Sequence, residues 1–266
     1  MRLLVSVVSA AEASRALAGG ADIIDVKDPR EGALGAPSPR VLAEVAEVVG
    51  AAAPVSVALG DLPNLPHTAA LAARGAAVSG ARFVKLGLRG VRELDDAVAL
   101  VSAVADAVGP DIAVIAAAYA DADALDPPAL PPARLPAVVQ RTGISGALVD
   151  TFLKDGRGLY GWMTTSELGE LRARLRAIGA SFGVAGQLTR RQLGRVAADV
   201  VGVRSAVCRG GDRGAELDAG LVAAAVAEVR AGGGDQPGKI RVPGDSARPG
   251  LRTTTATPVR RTASGR

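Results

Sequence analysis

The 266-residue chain has one cysteine, one histidine and four lysines, and only 2% of its residues are aromatic. Cys208 alone excludes a disulfide framework. With His67 as the single histidine, a Cys/His zinc cluster and any acid–base scheme needing two histidines are excluded too. A chain this poor in cysteine reads as reduced and cytoplasmic. No apolar run approaches the roughly 20 residues that a membrane-spanning helix needs. The opening MRLLVSVVSAAEA has the Arg2, short apolar run and small residues of a signal peptide, but Glu12 follows at once, and a first strand running into a helix fits better. What the chain does contain is 48% hydrophobic residues and 33 Gly. That is enough apolar side chain for a large core, which excludes global disorder, and the length suits one large domain or two small ones.

A net charge of +4 and a pI near 9.7 suggest nucleic acid or a membrane surface until the charges are located. Residues 231–266 carry seven basic and two acidic side chains, which leaves residues 1–230 at −1. The basicity therefore belongs to the end of the chain. That segment is rich in Gly, Pro, Thr and Arg and lacks an apolar period, so it reads as a disordered tail that cannot offset its ordering entropy. No aromatic residue is interleaved with its charges, which favours a solubilising extension over a nucleic-acid arm.

Along residues 1–230, β-branched runs alternate with helical patterns. The expected strands are 3–8, 22–26, 55–59, 82–86, 112–116, 146–153, 181–185 and 200–203. Helix starts are marked by Ser38-Pro39 before Val41, Leu42 and Val45, and by Thr164 and Glu167 at capping-box spacing before Leu168 and Leu171. The prolines from Pro127 to Pro136 form a loop ending in a helix start. Eight such units in about 230 residues match an α/β fold of the (β/α)8 TIM-barrel type, a single catalytic domain over 1–230. A doubly wound open sheet is the alternative, weakened because Ser9-Ala10-Ala11 stands where a G-x-G-x-x-G would follow the first strand.

Of the 31 basic residues only Lys27, Lys85, Lys154 and Lys239 are lysine. The first three fall at the ends of expected strands, where a barrel builds its active site. Asp25 and Lys27 share a face by alternation, and Asp150 and Lys154 do so if the strand stays regular that far. Lysine, unlike arginine, can lose its proton and attack a carbonyl, and crowded ammonium groups lower the pKa of at least one of them. Ion pairs of Lys27 with Asp25 and of Lys154 with Asp150, made for stability alone, are the plainer explanation. Three lysines at strand ends, two of them with an Asp alongside, favour a functional one. The last two strands lead into VAGQL and VGVRSAV. Gly186 and Gln187 there, with Arg204 and Ser205, make a candidate phosphate site at the usual place in such barrels. Asp61, Tyr119 and Asp121 also follow strands and rank lower, because Asp at a helix start is most often a cap. His67 reads as a surface residue, Cys208 as buried filler, and Trp162 and Phe152 as packing residues.

On GGADIIDVKDPREGALGA (19–36), VSGARFVKLGL (78–88), AAAYADA (116–122), ALVDTFLKDG (147–156) and the VAGQL and VGVR segments, the chain resembles the (5-formylfuran-3-yl)methyl phosphate synthase family of methanofuran biosynthesis. The resemblance spans nearly all of residues 1–230. It implies a barrel enzyme, a lyase without a cofactor or metal, that joins two molecules of glyceraldehyde 3-phosphate into a furan with loss of one phosphate and two waters. Carried over motif by motif, Lys27 is the Schiff-base lysine and Lys85 the general acid/base, with Asp25, Asp150 and Lys154 assisting. An ordinary Schiff-base aldolase using the same lysine is the second expectation. A non-catalytic phosphate-binding or nucleic-acid-associated protein is the third. The implied partner is the triose phosphate, with no membrane or nucleic acid called for, and self-association is common for barrels of this size.

Overall fold

In the computed structural model, residues 1–62 and 64–232 are described. Eight parallel strands close into a barrel in chain order. They are β1 (Arg2–Val7), β2 (Ile23–Val26), β3 (Val55–Asp61), β4 (Phe83–Gly87), β5 (Ala113–Tyr119), β6 (Gly146–Asp150), β7 (Ser181–Val184) and β8 (Val200–Val203). The helices between and after them are α1 (Ala10–Ala18), α2 (Pro39–Val49), α3 (Pro66–Val78), α4 (Leu94–Val108), α5 (Leu135–Thr142), α6 (Thr165–Ala177), α7 (Arg190–Leu193) and α8 (Ala219–Gly232). The barrel closes where β1 pairs with β8, from Arg2 opposite Val200 to Val5 opposite Val203. The opening segment is thus a strand running into a helix. The basic tail lies outside the described residues.

Alternation along each strand sorts the side chains into two sets. Leu3, Val5, Val7, Ile24, Val26, Val84, Leu86, Val149, Val201 and Val203 join a hydrophobic cluster with helix residues such as Leu42, Val45, Leu100, Leu168, Leu171 and Val222. Each such side chain contributes roughly 1.5–3 kcal/mol by leaving water. The other set points at the barrel axis. Ile23, Phe83 and Ala113 fill its lower end, with Leu4, Ile115 and Val200 packed against them. One pleat higher on the strands stand Ser6, Asp25 and Lys85, all buried. A polar layer therefore rests on an apolar plug, and it faces the C-terminal mouth of the barrel.

Local signals account for the element ends. The Ser38 side chain accepts from Val41 N with Pro39 in the first turn, and Thr164 and Glu167 form the expected capping box on α6. Two strands run further than their apolar patterns suggest. β3 reaches Asp61 through a register shift after Ala58, and β5 reaches Tyr119, which delivers both residues to the mouth. β6 is shorter than expected, ending at Asp150 instead of Leu153. The cause is tertiary: the buried Asp121 carboxylate captures the backbone N–H groups of Phe152 (2.8 Å) and Leu153 (2.6 Å), pulling that segment out of the sheet.

Candidate active site

Asp25 and Lys27 leave β2 on the axis side, as alternation requires, but they are not each other's partners. Lys85 Nζ, rising from β4, lies 2.7 Å from Asp25 Oδ1, and Ser6 Oγ donates to Asp25 Oδ2 at 3.0 Å. The register sets Ser6 beside Asp25, so this trio is built by the barrel's closure. Across the mouth, Asp150 Oδ1 accepts from Thr151 N at 2.7 Å and from Lys154 Nζ at 3.1 Å. Lys154 Nζ also donates to Thr151 O and to Thr151 Oγ1 at 3.1 Å, so three acceptors hold its ammonium. Lys154 meets Asp150 by folding back over the end of β6, not by sharing a strand face.

Lys27 is different. Its Nζ bonds to the Ala33 carbonyl at a long 3.4 Å, and no carboxylate lies within ion-pairing distance among the described residues. Burial lowers its pKa from 10.5 to about 8. Asp150 and Asp25 oppose that shift from farther off, while the ammonium groups of Lys85 and Lys154 reinforce it. Burial, not the crowding of lysines, is thus the larger cause. Asp150 behaves in the opposite way. Burial pushes its pKa up, but the charges of Lys154 and Lys27 and the bonds from Lys154 and Thr151 outweigh it and hold the carboxyl below its usual range. The mouth therefore places a carboxylate, a firmly held ammonium and an amine able to deprotonate near neutral pH around one space.

That space is a cavity of about 250 Å³ lined by Lys27, Asp150 and Lys154 on one side and by Gly186, Gln187 and Ser205 on the other. Lys85 and Asp25 lie deeper, beneath its floor. Gly186 has φ 115°, and a Cβ there would meet Thr151 atoms at 3.0–3.2 Å, so only glycine fits. Gln187 follows with φ 50°, an uncommon conformation for a side-chain residue, and its buried Oε1 has no partner. Among the described residues, no protein acceptor takes the backbone N–H groups of Gly186, Gln187 and Ser205. Three free donors beside a cationic wall form an anion cradle.

A family model described as 4-HFC-P synthase matches residues 3–226. The chain belongs to the 4-HFC-P synthase family. It is 40% identical over 237 residues to the (5-formylfuran-3-yl)methyl phosphate synthase of Methanosarcina mazei, covering 87% of this chain and 100% of that one. It is 42% identical over 218 residues to the protein of the same name from Methanothermobacter thermautotrophicus, covering 80% and 92%. Among solved structures, phosphoribosyl anthranilate isomerase from Thermotoga maritima superposes with a TM-score of 0.61 at 15% identity, covering 87% of this chain and 99% of that one. KGPDC from Streptococcus mutans gives 0.57 at 15%, covering 88% and 99%. These two likenesses show the barrel fold.

For a member of this family, the site holds residues whose contacts the sequence does not reveal. Arg204 lines the cavity as expected, but its guanidinium is not free. It donates to Glu12 Oε2 (2.8 Å) and Oε1 (3.3 Å) on α1, to Ser6 O (3.1 Å) and to Arg213 O (2.8 Å), so its charge is matched within the protein. Glu12 and Arg213 escaped sequence reasoning. One sits 192 positions away in the chain, and the other follows in the glycine-rich stretch RGGDRG after β8. Tyr119 donates to Asp61, and burial raises the pKa of both groups, well above the usual value for Tyr119. Gly87 makes room for the pair, since a Cβ there would lie 1.9 Å from Asp61 Oδ1. Asp121 is no helix cap; it anchors the segment that carries Lys154. His67 is exposed and Cys208 buried. Phe152 packs edge-on against Tyr119, and Arg157 covers Trp162. No helix among the described residues is long and apolar enough to cross a membrane.

Proposed function

We propose that the chain condenses two molecules of glyceraldehyde 3-phosphate into (5-formylfuran-3-yl)methyl phosphate, releasing one phosphate and two waters, through a Schiff base on Lys27. Family membership supports the reaction. The observation that carries the mechanism is that Lys27 alone of the three mouth lysines has no carboxylate partner while its pKa is lowered to about 8.

The amine attacks the aldehyde carbon of one triose phosphate, and loss of water leaves an iminium. This acts as an electron sink, so the adjacent C–H gives its proton to a nearby carboxylate, for which Asp150 is placed. The enamine carbon then attacks the aldehyde of the second molecule and forms the new C–C bond. Lys154 donates to departing oxygens, and the Asp25–Lys85 pair beneath the cavity supplies further proton transfers. Gly186, Gln187 and Ser205 hold a phosphate, with Arg204 as the neutralised wall behind them. Over the cycle the atoms balance without oxidant or reductant, so the scheme needs neither a metal nor an organic cofactor. We assign the enzyme to the carbon–oxygen lyases and to the cytoplasm.

Incubation with glyceraldehyde 3-phosphate alone tests the reaction. An ultraviolet-absorbing furan aldehyde with one phosphate released per furan is expected; a ketose bisphosphate without phosphate release would identify an ordinary aldolase instead. A pH profile tests the nucleophile. Because Lys27 attacks as the free amine, kcat/KM should rise tenfold per pH unit at first and bend near pH 8. A profile flat from pH 6 to 9 would assign the rate to another group.

A further inference from the structure

Lys27 stands between two cavities. Besides the 250 Å³ space, a second of about 350 Å³ opens between the segment after β2 and the segment after β8, with Asp28, Arg30 and Ser38 along its outer side. Lys27, Arg204 and Arg213 line both. The charges of these walls are mostly spoken for. Arg204 is matched by Glu12, and the exposed Arg30 is matched by Asp28, with contacts of 2.6 and 3.0 Å. Arg213 is the exception. Its backbone carbonyl accepts from Arg204, and the neighbouring Asp212 carboxylate accepts from Gly214 N, but among the described residues no acid pairs with the Arg213 guanidinium. It is half-buried. A partly desolvated guanidinium without a carboxylate, on the rim shared by two cavities, is a phosphate receptor by charge and by fork geometry.

Two triose phosphates each bring roughly −1.5 to −2 charges, so they need separate cationic stations to avoid repelling each other. The cradle of Gly186, Gln187 and Ser205 offers donors for one. The geometry points to Arg213 as the residue that receives the phosphate of the second, incoming triose phosphate, in the cavity beside the β2 segment, so that the two phosphates flank Lys27. This rests on the two-substrate reaction proposed above.

The full-length protein and its Arg213→Ala and Arg213→Lys variants can be compared in two assays. Removing the side chain leaves the carbonyl that holds Arg204 in place. Equilibrium dialysis with glycerol 3-phosphate, which has no carbonyl and cannot form a Schiff base, should count two molecules per wild-type chain, one per Arg213→Ala chain and two for Arg213→Lys. In turnover, Arg213→Ala should need about 10- to 100-fold more triose phosphate for half-maximal furan formation, with borohydride trapping of the first substrate on Lys27 unchanged. One molecule bound by the wild type, two bound by Arg213→Ala, or equal losses in trapping and turnover would each overturn the assignment. Two molecules bound by a wild type that forms no furan would overturn the condensation and leave the second phosphate site standing.

Discussion

Replacing Lys27 with Met is expected to reduce furan formation by roughly 10⁴-fold or more while leaving the Tm unchanged or raised. The two halves of this expectation have one cause. At pH 7 burial works against the Lys27 ammonium, since its pKa is lowered to about 8 from 10.5. A native-state pKa below the unfolded one means that the unfolded chain binds more protons between those values. Stability therefore rises with pH across that window and is depressed below it. A neutral side chain of similar volume removes the penalty. It leaves the charges balanced, because Asp25 keeps Lys85 and Asp150 keeps Lys154. Nucleophilicity is lost outright, since thioethers form no imine. If Lys27 were instead one member of a structural ion pair, Lys27→Met would lower the Tm and spare part of the activity, and that result would refute the assignment.

The largest effect on stability is expected from splitting the deeper pair. Asp25→Ala should cost about 3–5 kcal/mol in chemical denaturation, because Lys85 would remain near the barrel axis as an ammonium without a counter-charge. Asp25 is fully buried and Lys85 is 4% exposed, so water does little to screen the loss. Lys85→Met should cost a similar amount, since Ser6 would be left as the side-chain partner of the Asp25 carboxylate. The double variant Asp25→Leu/Lys85→Met should recover most of the stability, as apolar replacements of buried pairs commonly do, yet should stay impaired in turnover. Simple addition of the two single losses would show that the residues are not coupled and would remove their joint role beneath the site.

The fold was legible because barrel strands are short β-branched runs at even spacing, and because alternation separates helix-facing from axis-facing residues. The candidate site was legible in residue type and position: lysine in an arginine-rich chain, at strand ends. What remained hidden was long-range. Spacing places Asp25 and Lys27 on one face, but only barrel closure shows that Asp25 meets Lys85 two strands away and that Lys27 has no carboxylate partner. The end of β6 depends on Asp121, about 30 residues upstream. Arg204 looks like a free anion ligand until Glu12 of α1 is found against it. Arg213, in a loop without a strand pattern, offered no periodic signal.

The most direct measurement is borohydride reduction of the protein in the presence of glyceraldehyde 3-phosphate, followed by peptide mass mapping. The account predicts one reduced triose phosphate adduct on Lys27, with Lys85 and Lys154 unmodified. An adduct on either of those lysines, or turnover to the furan with no lysine trapped at all, would contradict it.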